Sequence, residues 1–149
     1  MDQVISPLHF LRGLGMIGLT VVVQATAQMA LTRFLHAVPP PKGRGHINHW
    51  GTAYVVAAVV ILVLGLIGEV TLWALLYWWW GELGSFANCL YFSLACFTTM
   101  GASDLTLSPL HRIVGTSEAA VGMLMFGWST ALLFEVIQTT RGARDPASG

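Results

Sequence analysis

Residues Tyr91 to Asp104 read YFSLACFTTMGASD, an apolar run that favours a helix and passes into a threonine-containing loop that ends on an acid. The apolar run, taken from Cys89 to Phe97, is far shorter than the roughly 20 residues that a helix needs to cross a bilayer. It lies between two long apolar segments. Irregular backbone at membrane depth is tolerated only where protein buries it or where it lines water. We therefore expect a short helix that re-enters the membrane, followed by a loop that lines a pore or packs within protein.

The whole chain has the composition of a membrane protein. Its 149 residues are 55% hydrophobic and 9% charged, and the mean hydropathy is +0.69. A water-soluble domain of this size carries charge on about a quarter of its residues. The formal net charge is zero, which gives no reason to expect a nucleic-acid partner, and no soluble partner is evident. The expected surroundings are the lipid bilayer.

Three apolar segments are long enough to span a membrane as helices: Gly13–Thr32, Gly51–Trp80 and Ile113–Thr140. A cleavable signal peptide is the alternative interpretation of the first segment, but such peptides begin with basic residues and have a shorter apolar core. Residues 35–49 read LHAVPPPKGRGHINH, and three consecutive prolines cannot continue a helix. The sequence thus predicts an all-α membrane protein with three transmembrane helices, a linker after the first, and the short re-entrant helix between the second and third.

The chemistry of several spanning residues predicts their environment. Gln24 and Gln28 are four residues apart and share one helical face. Amides that face lipid are costly, so this face is expected to contact protein. The aromatic cluster Tyr77–Trp80 suits one membrane interface, and Trp50 suits the other.

Cysteine and histidine give no strong sign of metal chemistry. Cys89 and Cys96 would lie roughly 10 Å apart along one helix, which is too far for a disulfide within the chain. They are expected to pack as small apolar groups. His46 and His49 lie in the linker, and two histidines alone do not complete a metal site. We expect neither a cofactor nor a bound metal.

The short helix, its loop and the following span resemble the pore helix, selectivity filter and inner helix of small bacterial potassium-channel-like pore-loop channels. The usual filter signature of that family is Thr-x-Gly-Tyr-Gly-Asp, and the loop here reads TTMGASD. The positions that coincide with it are Thr98, Thr99, Gly101 and Asp104. Ala102 stands where the aromatic is usual, and Ser103 stands where the second glycine is usual.

The last span strengthens this resemblance, because SEAAVGMLMFGWSTALLF is similar to the inner helix of the same family. Gly122 and Gly127 fall where an inner helix can bend or pack closely. The resemblance covers about Tyr54 to Ile137. It implies an extra transmembrane helix in residues 1–36, a cytoplasmic linker in 37–50, a pore domain in 51–141 and a short cytoplasmic tail in 142–149.

The resemblance also implies a mechanism. A ring of backbone carbonyls replaces the water shell of a permeant K⁺ or Na⁺ ion, and one chain supplies one loop, so four copies form a homotetramer. Thr99 would supply the innermost ligands, with Met100 and Gly101 above it in the ion-binding filter. Asp104 would form a negative ring at the outer mouth. The remaining filter positions are Thr98, Ala102 and Ser103.

Three acids fall within the predicted spans. Glu69 is expected to face protein or a water-filled cavity, because a carboxylate exposed to lipid costs several kcal/mol. A hydrogen bond to the short helix or to the last span is favoured for it over a direct part in conduction. Glu118 is expected near the outer end of the last span, and Glu135 near the inner end.

The cations predict an orientation. Five of them fall on one membrane side under a three-span topology, and that side should be cytoplasmic: Arg33, Lys42, Arg44, Arg141 and Arg144. The N-terminus is then outside, the loop opens outward and the C-terminus is inside. The expected location is the bacterial inner membrane.

Three classes of function are open at this stage. The first is a homotetrameric cation channel that conducts potassium, with potassium-over-sodium selectivity reduced by the changes at Ala102 and Ser103. The second is a channel-derived membrane scaffold or regulatory subunit that does not conduct. An enzyme or carrier is disfavoured, because the chain shows no nucleophile with an adjacent base and no internal repeat.

Overall fold

A computed structural model describes residues 7–37, 47–101 and 104–142, and these residues contain four α-helices. They are α1 (Pro7–Ala37), α2 (Ile47–Trp79), α3 (Phe86–Phe97) and α4 (Arg112–Gly142). Three of them contain apolar stretches long enough to cross a membrane, at Gly13–Phe34, Gly51–Trp79 and Arg112–Thr140. This confirms an all-helical chain with three helices capable of spanning a membrane.

Some expectations concern residues outside the described ranges. These are Lys42, Arg44 and His46 in the linker, Ala102 and Ser103 in the loop, and Arg144 with nearly all of the tail. The side chain of Trp50 is also outside the described part. His49 lies in the first turn of α2, so the end of the expected linker is helical.

Helix α3 begins at Phe86, three residues before the start expected at Cys89. Ser85 is the N-cap, and its hydroxyl accepts from the backbone N–H of Asn88 at 3.2 Å. This bond satisfies one of the free N–H groups of the first turn. Asn88, which the sequence places in the turn, therefore belongs to the helix. Its side-chain amide donates to the Leu83 carbonyl at 3.0 Å.

Helix α1 packs on α2 and α4 through buried polar contacts. Trp73 donates its indole N–H to the Thr20 hydroxyl at 3.0 Å. Gln24 donates its amide to the Ser129 hydroxyl at 2.9 Å and is fully buried. Gln28 is half-buried. The prediction that this face of the first span contacts protein is confirmed at Gln24.

The core beside α3 contains large side chains from α2, α3 and α4, among them Trp73, Phe92 and Met125. Tyr77 is part of this core and is fully buried, so its side chain faces protein, whereas the sequence predicts an aromatic that faces a membrane interface. Its neighbour Trp79 is 85% exposed and fits that prediction better. Tyr77 turns inward because a buried acid of α4 accepts its hydroxyl.

Candidate functional site

The loop after α3 is held to the helix by its own N–H groups. The N–H of Thr98 donates to the Leu94 carbonyl at 3.0 Å, and the N–H of Thr99 donates to the Cys96 carbonyl at 2.9 Å. The N–H of Gly101 donates to the Ala95 carbonyl at 3.0 Å. These three backbone donors of the loop therefore point back toward the C-terminal end of α3.

The carbonyl oxygens of the same loop remain available. Within the described part of the chain, no hydrogen bond ends on the carbonyl of Thr98, Thr99, Met100 or Gly101. All four residues are exposed on this single chain. Carbonyls without donors cannot face hydrocarbon at low cost, so they need water, a cation or another chain beside them.

Two residues of the loop have left-handed backbone conformations. Thr99 has a φ of 59° and Gly101 has a φ of 77°. For a β-branched residue this conformation costs about 1–2 kcal/mol, whereas glycine adopts it readily. Ser103, which stands where the second glycine of the filter signature is usual, lies outside the described residues.

The threonine side chains of the loop differ in direction. The Thr98 hydroxyl donates to the Leu94 carbonyl at 2.7 Å and is turned toward the helix. Thr99 is exposed and borders an open groove of about 420 Å³, together with Phe92, Cys96 and Arg112. Of the two hydroxyls, the one on Thr99 is thus the freer to meet a ligand or a neighbouring chain.

Asp104 lies on the exposed side of the loop. The Tyr91 hydroxyl donates to its Oδ1 across 3.3 Å, which is a long and weak contact. Because the carboxylate is exposed, it is able to attract cations from solution.

The two glycines of α4 have different surroundings. A Cβ on Gly122 would overlap the Phe97 carbonyl oxygen at the end of α3. The absence of a side chain therefore lets α4 touch the backbone at which the loop begins. Gly127 has nothing within 4 Å of the position that a Cβ would take, so nothing in the described chain requires a glycine there.

A buried polar cluster behind α3 joins three helices. Glu118 of α4 is fully buried, and its Oε2 accepts from the Tyr77 hydroxyl of α2 at 2.6 Å. Its Oε1 accepts from the Ser93 hydroxyl of α3 at 2.5 Å, and that hydroxyl also lies 2.9 Å from the Val70 carbonyl of α2. The cluster fixes the short helix, and hence the loop, against both long helices.

The other two predicted acids lie elsewhere. Glu69 is fully buried, and neither of its oxygens has a hydrogen-bond partner among the described residues. The bond expected between Glu69 and the short helix or the last span is therefore not formed. The acid that bonds the short helix is Glu118, through Ser93. Glu135 is exposed near the end of α4.

A second polar cluster ties the end of α2 to the connector before α4. Glu82 accepts from the backbone N–H of Ser108 at 2.9 Å and from the Ser108 hydroxyl at 2.6 Å. The Nδ1 atom of His111 lies 2.7 Å from Glu82 Oε1, and the imidazole stacks on Trp80 with ring centroids 4.1 Å apart. Burial alone would raise the pKa of Glu82, but the bonds from Ser108 and His111 hold that pKa below its ordinary value.

Sequence reasoning missed the partners in both clusters. Ser93 sits in an apolar run, and Glu82, Ser108 and His111 share no motif or fixed spacing. The sequence does contain one indication of such a contact. Ser93 lies one helical turn after the small residue Cys89, on a short helix that must be buried in protein. That signal marks a polar contact with another helix, but it does not name the partner.

Comparison with protein families gives one finding. Residues 52–139 match a family model described as "Ion channel". The match covers most of α2, all of α3 and the loop, and nearly all of α4, which is more than half of the chain. No curated protein and no solved structure matches the chain.

Proposed function

The chain belongs to the ion-channel family, and from that premise we propose that it is a homotetrameric cation channel that conducts potassium. As a channel it is a transport protein and not an enzyme. The ion path is a ring of four loops made by Thr98, Thr99, Met100, Gly101, Ala102 and Ser103. We propose that this pore is of the same kind as the small bacterial potassium-channel-like pores that the loop resembles.

The observation that carries this proposal is the division of polar groups in the loop. The N–H groups of Thr98, Thr99 and Gly101 are bonded to α3, while the carbonyls of residues 98–101 accept nothing within the described chain. A row of carbonyls supported from behind is the arrangement that replaces the water shell of a monovalent cation. The permeant K⁺ or Na⁺ ion is the transported species and not a resident cofactor.

Helix length and the cost of exposing carbonyls to lipid support the re-entrant position and the tetramer. Helix α3 has 12 residues and is too short to cross a bilayer. One loop cannot enclose an ion, and its free carbonyls cannot face lipid. Four copies around a closed axis would place the loops together and cover the groove beside Thr99.

The topology supports an orientation with the loop outside. Arg33 near the end of α1 and residue 141 near the end of α4 lie at one end of the bundle, where Leu31, Tyr54 and Val136 pack together. Positive residues favour the cytoplasmic side. We place that end in the cytoplasm and the N-terminus outside, in the plasma membrane of a bacterial cell.

Reduced selectivity is the second part of the proposal. Ala102 and Ser103 replace the aromatic and the glycine that hold the outer filter of the resembling family at a fixed width. The double change Ala102→Tyr with Ser103→Gly should then increase the preference for potassium over sodium, and Ser103→Gly alone should do less. Reversal potentials under opposed potassium and sodium gradients report the change. Unchanged selectivity in a conducting double variant would contradict it.

Assembly is tested by native mass spectrometry of the detergent-solubilised protein, which should show a four-chain complex. A stable monomer or dimer as the sole species would remove the channel proposal. Ion flux into liposomes then separates the channel from its alternative, a scaffold that does not conduct. The altered residues at 102 and 103 favour that alternative, and an intact tetramer without flux would establish it.

A further inference from the structure

Helix α1 lies entirely outside the stretch that matches the channel family, yet buried polar contacts bind it to the rest of the chain. The family match begins at residue 52. Thr20 accepts from Trp73 of α2, and Gln24 donates to Ser129 of α4. Polar bonds of this kind fasten one membrane helix to another. Specific side-chain hydrogen bonds therefore hold α1, α2 and α4 together at one junction.

This junction contains three buried oxygens that accept no hydrogen bond from the part of the chain that the structure describes. They are Oε1 and Oε2 of Glu69 and Oε1 of Gln24. Both side chains have no exposed surface. A buried acceptor without a donor is costly, and a buried carboxylate without a partner costs far more.

The helix register places Gln24 and Glu69 at the same level. Helices α1 and α2 run antiparallel, because Thr20 contacts Trp73 while Ala27 contacts the position of a Cβ on Gly65. Gln24 is one turn beyond Thr20, and Glu69 is one turn before Trp73. Each lies between the two contacts on the side of its helix that faces the other.

No cation faces this level from the neighbouring helices. Residues 13–32 of α1 carry no charge, and α4 has no ionisable side chain between Glu118 and Glu135. Glu118 is already bonded to Tyr77 and Ser93. The thiols and phenols of the packed helices are Cys89, Cys96, Tyr54, Tyr77 and Tyr91. The histidines and arginines of α1, α2 and α4 lie at least nine residues along their own helices from Gln24, Glu69 and Ser129: His9, Arg12, Arg33, His36, His49, Arg112 and Arg141. A Glu69 carboxylate would therefore have no positive partner.

We propose that Glu69 and Gln24 form a proton-binding site at this junction. Glu69 carries the proton as a neutral carboxylic acid and donates it to Gln24 Oε1. The Gln24 amide donates in turn to the Ser129 hydroxyl. One bound proton thus removes the buried charge and supplies the missing donor, and the chain of bonds links α2 through α1 to α4.

The site makes the attachment of α1 sensitive to alkaline pH. Loss of the proton would set a carboxylate against an amide oxygen, with two acceptors facing each other. The link from α2 to Gln24 would break, and the hold of α1 on α4 at Ser129 would weaken. This inference does not depend on ion conduction, so it stands or fails apart from the proposed function.

Infrared spectroscopy of the full-length protein in lipid tests the site. The wild type at neutral pH should show the carbonyl stretching band of a buried carboxylic acid, and Glu69→Gln should lose that band. Glu135→Gln is the matched control, because it removes one exposed carboxyl from a spanning helix and should keep the band. Gln24→Leu should shift the band to higher frequency, because the acid loses its acceptor.

Thermal stability against pH gives a second readout. The wild type should lose stability as the pH is raised, while Glu69→Gln should change little, because its amide donates to Gln24 at every pH. An identical acid band in the wild type and Glu69→Gln would overturn the proposal. That result would mean that Glu69 is a carboxylate which accepts from a rotated Gln24 amide.

Discussion

Tyr77 donates its hydroxyl to Glu118 Oε2 across 2.6 Å, and both side chains are fully buried. The bond crosses from α2 to α4 beside the short helix. Ser93 of that helix bonds the second oxygen of the same carboxyl group. The position of the loop therefore depends on one acid that three helices share, and each bond in this cluster can be tested.

Tyr77→Phe should lower the free energy of unfolding by about 1–3 kcal/mol, because it leaves a buried Glu118 oxygen without its donor. The ring contact with Phe92, at 5.5 Å between centroids, is retained. Tyr91→Phe is the control, since Tyr91 is exposed and its bond is long, and it should change stability by less than about 0.5 kcal/mol. Denaturation in detergent measures both. Equal stability of Tyr77→Phe and the wild type would contradict the account.

Gly122→Ala should be destabilising, because a Cβ there would overlap the Phe97 carbonyl oxygen. A methyl group forced into packed backbone costs about 1–3 kcal/mol. Gly127→Ala is the matched control in the same helix. A Cβ there would have open space around it, so this variant should keep near wild-type stability. The melting temperature of Gly122→Ala should therefore be lower than that of Gly127→Ala. The reverse order would show that the contact between α3 and α4 is not the constraint.

The Glu82 cluster should give an acid-dependent stability. Hydrogen bonds from Ser108 and His111 outweigh burial and depress the Glu82 pKa from its ordinary 4.5. A carboxyl group with a depressed pKa stabilises the fold at pH values above its ordinary pKa. This stabilisation is lost as the pH falls below about 4.5 and through the pKa of Glu82 in the folded protein. Glu82→Gln should thus melt lower than the wild type at neutral pH. The gap should narrow on acidification, and a gap that stays constant from neutral to acid pH would exclude this role.

Asp104→Asn should reduce conductance several-fold in dilute salt and have less effect in concentrated salt, because an exposed ring of carboxylates concentrates cations only where screening is weak. Tyr91→Phe serves as the comparison, since it removes the 3.3 Å contact and keeps the charge. It should conduct like the wild type at every salt level. If Asp104→Asn conducts equally at all salt concentrations, the carboxylate is structural and acts through Tyr91.

Hydropathy was sufficient to predict the three long helices, because spanning length leaves a continuous apolar signal at Gly13–Phe34, Gly51–Trp79 and Arg112–Thr140. The apolar run alone predicts a start of α3 that is too late, because the helix begins directly after the polar cap Ser85 and its first turn includes the polar residue Asn88. Composition does not distinguish Tyr77, which bonds a buried acid, from an aromatic that faces a membrane interface. The partners of Glu118 and Glu82 depend on the crossing of helices far apart in sequence, which a single sequence does not reveal.

The central claim is that four loops with free carbonyls form a cation path. Currents through the purified tetramer in planar bilayers, with potassium on one side and sodium on the other, test it most directly. The account predicts cation currents whose reversal potential shows a preference for potassium that is real but incomplete. A folded tetramer that passes no current, or that passes anions, would contradict it.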